Sequence, residues 1–328
     1  MSSPATVFGL LMADRSRQGI KGMDLLILIL QGVIVAATPL AFAAIGELVV
    51  EKSGVLNLGV EGVMILGAIA GFSVTLETGS YFFGILAAAG VGALACGLFG
   101  VLTQVLLSNQ VATGLALTIF GLGIAALWGQ GYSGESTPAL AKIHIFLLSD
   151  IPVIGPLLFA HDPMVYLSVA LVFGVAWFLK STRPGLILRS IGENHDAAHA
   201  LGYHVVGVRM LALLFGGACA GLGGAYLSIV QTPMWVEGMT AGRGWIALAI
   251  VVFATWRPGR ALVGAYLFGG VTVIQLHIQG LGVEIEAQYL SMLPYLVTII
   301  VLVMISRDKT RANLNAPACL GRPFFAFS

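Results

Sequence analysis

The stretch GELVVEKSGVLNLGVEGVMILGAIAGF, residues 46–72, decides the fold, because it places charge inside a run that is otherwise apolar enough to lie in a membrane. Ser53-Gly54 is a helix-breaking pair, so we predict that one membrane helix ends near Lys52 and that a second begins before residue 62. The charged and amide side chains of the stretch are Glu47, Glu51, Lys52, Asn57 and Glu61. We expect the first three to form a helix-end cluster in water.

Asn57 and Glu61 are four residues apart, so on a helix they share one face. A carboxylate in mid-membrane costs about 2.5–3.5 kcal/mol on insertion scales, and Glu61 therefore needs a polar environment or a partner. Two interpretations stay open. Either this face lines a polar pathway, or Glu61 lies near an interface or pairs within the bundle.

The composition around this stretch is that of a membrane protein. Of 328 residues, 58% are hydrophobic and 9% are charged, against about 25% charged in a typical soluble domain. The net charge of +1 offers no basic field for nucleic acid. Apolar runs near the length needed to cross a hydrocarbon core recur along the chain. We predict an all-α, polytopic membrane helical bundle of about 8–10 transmembrane segments, with a broken or re-entrant helix near residues 47–62.

The chain divides into an N-terminal segment (1–23), a transmembrane domain (24–306) and a C-terminal tail (307–328). Within the transmembrane domain, residues 131–163 form the longest connection and residues 181–206 form a polar loop. The apolar segments lie near residues 24–46, 58–76, 81–107, 111–129, 164–180, 207–230, 244–256, 261–280 and 289–305.

The distribution of basic residues predicts an orientation. Lys and Arg are concentrated in residues 180–209, in residues 257–260 and after residue 306, whereas 278–288 has none. By the positive-inside rule, the 181–206 loop and the C-terminus are cytoplasmic and the 131–163 connection is external. If every segment before the 131–163 connection crosses the membrane, the N-terminus is external, although it is basic. If one of these segments is re-entrant, the N-terminus is cytoplasmic, in agreement with the positive-inside rule. Both alternatives stay open.

The polar loop STRPGLILRSIGENHDAAHALGYHVVGVRM, residues 181–210, predicts a short amphipathic helix outside the membrane. Glu193 and Asn194 can cap its first backbone N–H groups, and Gly202 can end it. Because connections are usually only a few residues long, an ordered helix here suggests a docking surface for another protein. An ordinary connecting loop is the alternative.

No sequence pattern for catalysis or for nucleotide binding is present. The chain has no GxxxxGK[ST] phosphate loop and no GxSxG, HExxH or Ser-x-x-Lys arrangement. His195 and His199 are spaced to share a metal, but solvated loop histidines are the favoured interpretation. The three cysteines, one of them Cys319, are far apart. We therefore expect no catalytic residue, no metal and no cofactor bound by this chain.

Three stretches together carry a family resemblance: EKSGVLNLGVEGVMILGA, RPGLILRSIGENHDAAHALGYHV and MTAGRGWIALAIVVFATWRPGRALVGAYLFGG. In this order they resemble permease subunits of bacterial ABC importers, in the branch associated with nucleosides. More distant relatives move branched-chain amino acids and simple sugars. The resemblance runs from about residue 24 to residue 306 and leaves the C-terminal tail unmatched.

The resemblance implies a transport subunit rather than an enzyme, in the bacterial inner membrane with a cytoplasmic C-terminus. Its implied partners are an ABC ATP-binding subunit that carries ATP-Mg, a second permease subunit that is a different chain, a solute-binding lipoprotein and membrane lipid. No nucleic acid is expected. The implied ATPase-coupling residues are Gly192, Glu193, Asn194, Ala197, Ala198, Leu201 and Gly202. His195 stands where the family more often has proline, which loosens the start of the helix.

The function implied is a pathway for a nucleoside or a similar small polar solute that works by alternating access. The alternatives are an ion-coupled secondary transporter and a simple-sugar or amino-acid ABC permease; a membrane-embedded enzyme and a scaffolding subunit are weaker rivals. Arg243 sits between two glycines, where backbone N–H groups can face a solute or the side chain can anchor a helix. The candidates for the solute pathway are Asn57, Glu61, Gln104, Thr113, Thr240 and Arg243. Aromatic side chains that could stack on a base are Phe120, Trp128, Tyr226, Trp235 and Trp245.

Overall fold

The computed structural model describes residues 22–143, 151, 153–280, 289, 292–306 and 316–325. One isolated β-bridge, between Ser136 and Met234, joins two of the connections. The helices in chain order are α1 (Gly22–Lys52), α2 (Val60–Thr78), α3 (Tyr81–Gly100), α4 (Gln110–Gly129), α5 (Ile154–Leu158), α6 (Pro163–Ser181), α7 (Arg183–Glu193), α8 (His195–Ala200), α9 (Val205–Ala225), α10 (Arg243–Phe253), α11 (Pro258–Gly280) and α12 (Leu293–Ser306). Short π-helical turns continue α3 and α9.

Local sequence explains where several helices begin. Asn109 accepts a hydrogen bond from the Ala112 N–H at the start of α4, and Asp162 accepts from the Met164 and Val165 N–H groups at the start of α6. Such side-chain acceptors satisfy N–H groups that have no partner within the helix. Pro163 follows the Asp162 cap, at the first helical position, where the missing proline N–H costs nothing.

In the described ranges, seven helices are long and apolar enough to cross a membrane. The all-α polytopic bundle is therefore confirmed. Each of the nine apolar segments expected from the sequence contains a described helix, although α10 and α12 have only 11 and 14 residues. The seven are Leu26–Lys52, Val60–Thr78, Tyr81–Val105, Gln110–Tyr132, Pro163–Ser181, Val205–Gln231 and Pro258–Gln279.

The centre of the bundle is built from α1, α2, α3 and α9, and α9 packs against the other three. Small residues allow this, because a Cβ on Gly67 would overlap the backbone of Gly221, and a Cβ on Gly221 would overlap the Ala88 carbonyl of α3. Close backbone approach of this kind is typical of helices in lipid. Helix α4 covers α2, whereas α6, α10 and α11 pack on α1.

Contacts between connections define two ends of the bundle. At one end, which we call the α8 end, the turn after α1 meets α7 and the C-terminal segment through Gly54, Gly192 and Cys319. At the opposite end, which we call the far end, Gln31 donates to the Pro156 carbonyl. Helix α1 therefore runs from the far end to the α8 end. Residues 1–21, whose side was left open, lie outside the described residues.

The helix break expected near residues 47–62 lies between the end of α1 and the start of α2 at Val60. Gly54 turns the chain with a φ of +90°, a conformation that favours glycine. The prediction that Glu47, Glu51 and Lys52 lie in water is wrong for the two glutamates, since Glu47 is 2% exposed and Glu51 is 1% exposed. Asn57 lies in the turn before α2, so it does not share a helix face with Glu61. The turn has folded inward, where these groups find protein partners.

Candidate functional site

The turn between α1 and α2 is held by its own polar side chains. The Glu47 carboxylate accepts from the Asn57 backbone N–H at 3.3 Å, and the Asn57 side-chain oxygen accepts from the Gly59 N–H at 2.9 Å. The Asn57 amide nitrogen donates to Cys96 Sγ of α3 at 3.4 Å. Buried acids and amides are tolerated when their polar atoms are hydrogen-bonded in this way.

Glu51 joins this turn to the end of α10. Its Oε2 accepts from Trp256 Nε1 at 2.6 Å, and both side chains are buried. Trp256 and its neighbour Thr255 have positive φ angles of 53° and 50°, which non-glycine residues rarely adopt. Packing and this hydrogen bond hold a strained backbone that ends α10 close to the end of α1.

Glu61, in the first turn of α2, caps a different helix. Its two carboxylate oxygens accept from the backbone N–H groups of Gly242, at 2.9 Å, and Gly244, at 2.6 Å. These N–H groups begin α10, where a negative charge is favoured by the helix dipole. Gly244 admits the carboxylate, because a Cβ there would lie 2.5 Å from Glu61 Cα. The geometry provides the partner that the buried acid requires, and it favours the interpretation in which Glu61 pairs within the bundle.

Of the other candidates for the solute pathway, Arg243 and Thr240 adjoin the turn that Glu61 caps, whereas Thr113 and Gln104 make their hydrogen bonds elsewhere. Arg243 donates to the Met239 carbonyl at 2.8 Å, within the turn before α10. Thr240, in the same turn, is fully buried and its hydroxyl has no hydrogen-bond partner among the described residues. Thr113 exchanges a hydrogen bond with Ser108 at the start of α4, at 2.9 Å. Gln104 lies at the α8 end, bonded to Arg209.

Arg209 of α9 is a functional candidate that the sequence reasoning missed. Its side chain is 0% exposed. In the sequence, Arg209 was considered only as one of the basic residues whose distribution predicts the orientation in the membrane. An ionisable residue near the start of an apolar helix was the available signal, since such residues in membrane segments usually have a specific partner. Its partners come from four separate parts of the chain.

Among the described residues, the guanidinium of Arg209 donates to four acceptors, none of them a carboxylate. Nε donates to the Ser53 carbonyl at 3.2 Å and Nη2 to His195 Nδ1 at 3.1 Å. Nη1 donates to Gln104 Oε1 and to the Arg322 carbonyl, both at 3.2 Å. One side chain therefore connects the turn after α1, the π-helical end of α3, the short helix α8 and the C-terminal segment. We call this set the Arg209 hub.

His195 belongs to the hub and is buried, so its interpretation as a solvated loop histidine is wrong. Arginine cannot accept a hydrogen bond, so His195 Nδ1 is the acceptor and Nε2 carries the proton. Burial, together with the Arg209 charge, lowers the pKa of His195 below its ordinary value. The neutral ring can therefore stay in contact with the cation.

The residues that were predicted to couple to an ATPase lie in helix α8 and at its two ends. Asn194 accepts from the Ala197 N–H at 2.9 Å and so caps the helix, and Gly202 ends it with a φ of +87°. Ala198 faces inward and is buried, whereas Leu201 is 77% exposed. Gly192 is buried against the Lys52 carbonyl, with no room for a Cβ. The inner face of α8 thus packs on the bundle, and Leu201, directly after the helix, exposes its apolar side chain.

The aromatic residues considered for stacking are spread through the bundle. Tyr226 and Trp235 are buried in separate hydrophobic clusters, and Tyr226 donates to Asp162 at 3.1 Å. Phe120 and Trp128 of α4 are partly exposed. The described residues do not bring these rings together around one cavity.

Comparison with known proteins places these features in context. Residues 29–302 match the family described as branched-chain amino acid transport system / permease component. The chain is 39% identical over 319 residues to the putative glucose ABC transporter permease protein TsgC13 of Haloferax volcanii, covering 89% of this chain and 95% of that protein. No solved structure matches the chain.

Two further relatives carry names that refer to nucleosides. The nucleoside ABC transporter permease protein NupC of Lactococcus lactis is 33% identical, over 84% of this chain and 92% of that protein. The guanosine ABC transporter permease protein NupQ of Bacillus subtilis is 31% identical, over 89% of this chain and 96% of that protein.

Proposed function

Because this chain belongs to the family of branched-chain amino acid transport system permease components, we propose that it is the membrane subunit through which an ATP-driven importer moves a nucleoside or a similar small polar solute. The observation that carries the proposal is the similarity, over at least 84% of the chain, to permeases named for nucleosides and guanosine. The seven long apolar helices supply the membrane-crossing body that such a subunit needs.

In this proposal the chain performs no covalent chemistry. A partner ATP-binding subunit holds ATP-Mg and docks on the α8 end, a second permease chain completes the pathway, and a solute-binding lipoprotein delivers the solute at the far end. The exposed Leu201 and the capped helix α8 support this docking site. ATP drives transport by favouring one of two conformations of the assembly, and the solute is carried as these alternate.

The orientation in this proposal follows from charge. The α8 end carries the base-rich connections, including residues 180–209 and 257–260, and we therefore place it in the cytoplasm. The C-terminal segment, which packs at the same end, is then cytoplasmic, and the 131–163 connection is external. The membrane is the inner membrane of the cell.

The candidate solute pathway lies between α2 and the turn that begins α10. Thr240 supports this assignment, because its fully buried hydroxyl has no described partner and is available to a polar solute. Glu61 and Arg243 adjoin the same turn. Asn57, Gln104 and Thr113 remain candidates through their positions toward the α8 end of α2, α3 and α4.

A simple sugar is the second candidate solute, favoured by the 39% identity to a putative glucose permease. Sugars and nucleosides share hydroxyl groups that a buried polar side chain can bind, and a nucleoside adds an aromatic base. The two are separated by direct competition: uptake of labelled guanosine is measured with excess unlabelled glucose, and uptake of labelled glucose with excess unlabelled guanosine.

The proposal is tested by solute uptake in cells that have or lack this chain. We expect labelled guanosine to enter only when the chain is present, and we expect the tagged chain to co-purify with an ATP-binding subunit. Proteoliposomes holding that complex should take up the solute with ATP and not without it.

Two outcomes contradict the proposal. Uptake by the purified chain alone, driven by an ion gradient without an ATPase, would establish the secondary-transporter alternative. Unchanged uptake of both guanosine and glucose in cells without the chain would show that this chain transports neither solute.

A further inference from the structure

The C-terminal segment, Ala316–Phe325, is a feature that neither the family match nor the proposed function uses. The family match ends at residue 302. The segment nevertheless packs closely against the α8 end, where Cys319 and Phe324 are both buried. Because the segment lies beyond the matched region and nevertheless has buried side chains, its contacts need a physical explanation.

Backbone hydrogen bonds join the segment to two other parts of the chain. The Cys319 N–H donates to the Gly192 carbonyl, in the last turn of α7, at 2.9 Å. The Gly321 N–H donates to the Gly54 carbonyl, in the turn after α1, at 3.0 Å. Gly54 itself has little free space, since a Cβ there would lie 3.3 Å from the Cys319 carbonyl oxygen and 3.4 Å from Gly192 Cα. The segment thus bridges α7 and the α1–α2 turn.

Phe324 extends these contacts to α8. Its side chain is 5% exposed and packs with Ile191, Ala198 and Val205. Its ring centre lies 5.4 Å from that of His195 and 5.2 Å from that of His199, in edge-to-face arrangements. The ring therefore supports the inner face of α8, opposite the exposed Leu201.

Helix α8 needs such support because of its length. It has six residues and is separated from α7 only by Asn194. Isolated helices shorter than about 12 residues are marginal in water, so the position of α8 depends on what it packs against. Of its described supports, Phe324 and the Arg322 carbonyl at the Arg209 hub come from the C-terminal segment.

We propose that the C-terminal segment is a positioning element for α8: it fixes this helix against the α1–α2 turn and the Arg209 hub, so that movement of α8 is delivered to α1, α2 and α9. The inference rests on the proposed function, in which an ATP-binding subunit moves α8. Without Phe324, α8 would shift against the bundle, and the ATPase would turn over without moving the membrane helices. Phe324 acts through α8 and does not itself touch ATP or solute.

The test compares three variants of the full chain, each purified with its co-purifying ATP-binding subunit and reconstituted in proteoliposomes. Phe324→Ala removes the buried ring, Phe325→Ala removes the neighbouring ring, which is 53% exposed, and Phe324→Leu keeps apolar bulk. We expect Phe324→Ala to retain ATP hydrolysis while solute uptake per ATP falls by about tenfold. A tenfold change corresponds to about 1.4 kcal/mol, which is close to the lower value for burying a phenylalanine side chain. Phe325→Ala should match the wild type. Phe324→Leu keeps apolar bulk but loses the ring contacts with His195 and His199, so its ratio should fall between those of Phe324→Ala and the wild type.

A second measurement covers the case in which Phe324→Ala does not yield a stable complex. Amide hydrogen exchange of the Phe324→Leu chain in detergent should be faster than wild type across residues 195–203 and unchanged in α2. An unchanged uptake-to-hydrolysis ratio in Phe324→Ala, or unchanged exchange in residues 195–203, would overturn the inference. A wild-type chain that neither binds an ATP-binding subunit nor transports would instead overturn the proposed function, whatever the exchange data show.

Discussion

Arg209 is the residue at which the most distant parts of the sequence meet. Its described hydrogen-bond acceptors, at Ser53, Gln104, His195 and Arg322, are all neutral, so within the described residues the buried cation is solvated mainly by carbonyl, amide and imidazole groups. A guanidinium suits this role because it presents five N–H donors in a fixed planar arrangement. A shift in any one of the four segments changes the environment of the others.

Arg209→Lys is expected to destabilise the protein. An ammonium group has three donors on one atom and cannot reach four dispersed acceptors, so at least one buried acceptor loses its partner, at a cost of about 1–3 kcal/mol. The measurement is the midpoint of thermal denaturation in detergent. Arg260→Lys is the matched control, because Arg260 is exposed and its guanidinium donates to the Thr255 hydroxyl at 2.9 Å. Equal midpoints for the two variants would contradict the role of the hub.

Glu61→Gln distinguishes bracing of the bundle from contact with solute. Glutamine retains one oxygen for the Gly242 or Gly244 N–H, but it lacks the second acceptor and the charge at the start of α10. We expect a loss of stability of about 1–2 kcal/mol, and a KM for uptake that stays within about twofold of wild type. Asn57→Leu serves as the companion variant. A large rise in KM for Glu61→Gln with unchanged stability would favour the solute-pathway interpretation.

At the scale of elements, the sequence predicts helices well and their mutual contacts poorly. Apolar run length alone locates the helices, because each crossing must satisfy its backbone within itself. The break near Gly54 was predictable from Ser-Gly after a charged run. The burial of Glu47 and Glu51 was not, because it depends on α10 ending beside α1 through Trp256, a contact about 200 residues away in sequence. The local pattern suggested helix α8 correctly, whereas its support by Phe324 is a long-range contact outside any familiar motif.

Leu201 is the residue of α8 that we expect an ATP-binding subunit to contact. Its side chain is 77% exposed, and a large exposed leucine on an ordered helix is a typical anchor for a partner. Leu201→Asp should lower recovery of the ATP-binding subunit in pull-down by about tenfold, with little change in the stability of the isolated chain. Leu158→Asp is the control, because Leu158 is also exposed but lies in α5, at the far end. Equal recovery of the ATP-binding subunit with both variants would contradict the assignment of α8 as the docking helix.

At the scale of the whole molecule, the bundle is held together by close backbone contacts around α9. Where α2, α3 and α9 cross, glycines let the helix backbones touch directly. These contacts are stabilised by van der Waals attraction between closely fitting backbones. Such an interface tolerates little added volume.

Gly221→Ala tests this packing. A Cβ at Gly221 would overlap the Ala88 carbonyl and crowd Gly92, so α3 and α9 must separate. Overpacking of this kind typically costs about 1–3 kcal/mol, and we expect a lower thermal midpoint and lower yield in the membrane. Gly90→Ala on α3 is the matched control, since no atom lies within 4 Å of a Cβ placed there. If both alanine variants behave alike, the α3–α9 contact is not the tight point of the fold.

The place of Arg322 and Cys319 in the sequence has a consequence for the order of assembly. Membrane helices are inserted as the chain is synthesised, so Ser53, Gln104, His195 and Arg209 are in place before the last acceptor of the hub exists. The Arg322 carbonyl, and the Cys319 N–H that bonds the Gly192 carbonyl, follow all four of these residues in the order of synthesis. Until they follow, the buried guanidinium lacks one of its described acceptors, and the Gly192 carbonyl lacks its described donor from the C-terminal segment. The hub is therefore completed late, after the helices that supply its other members.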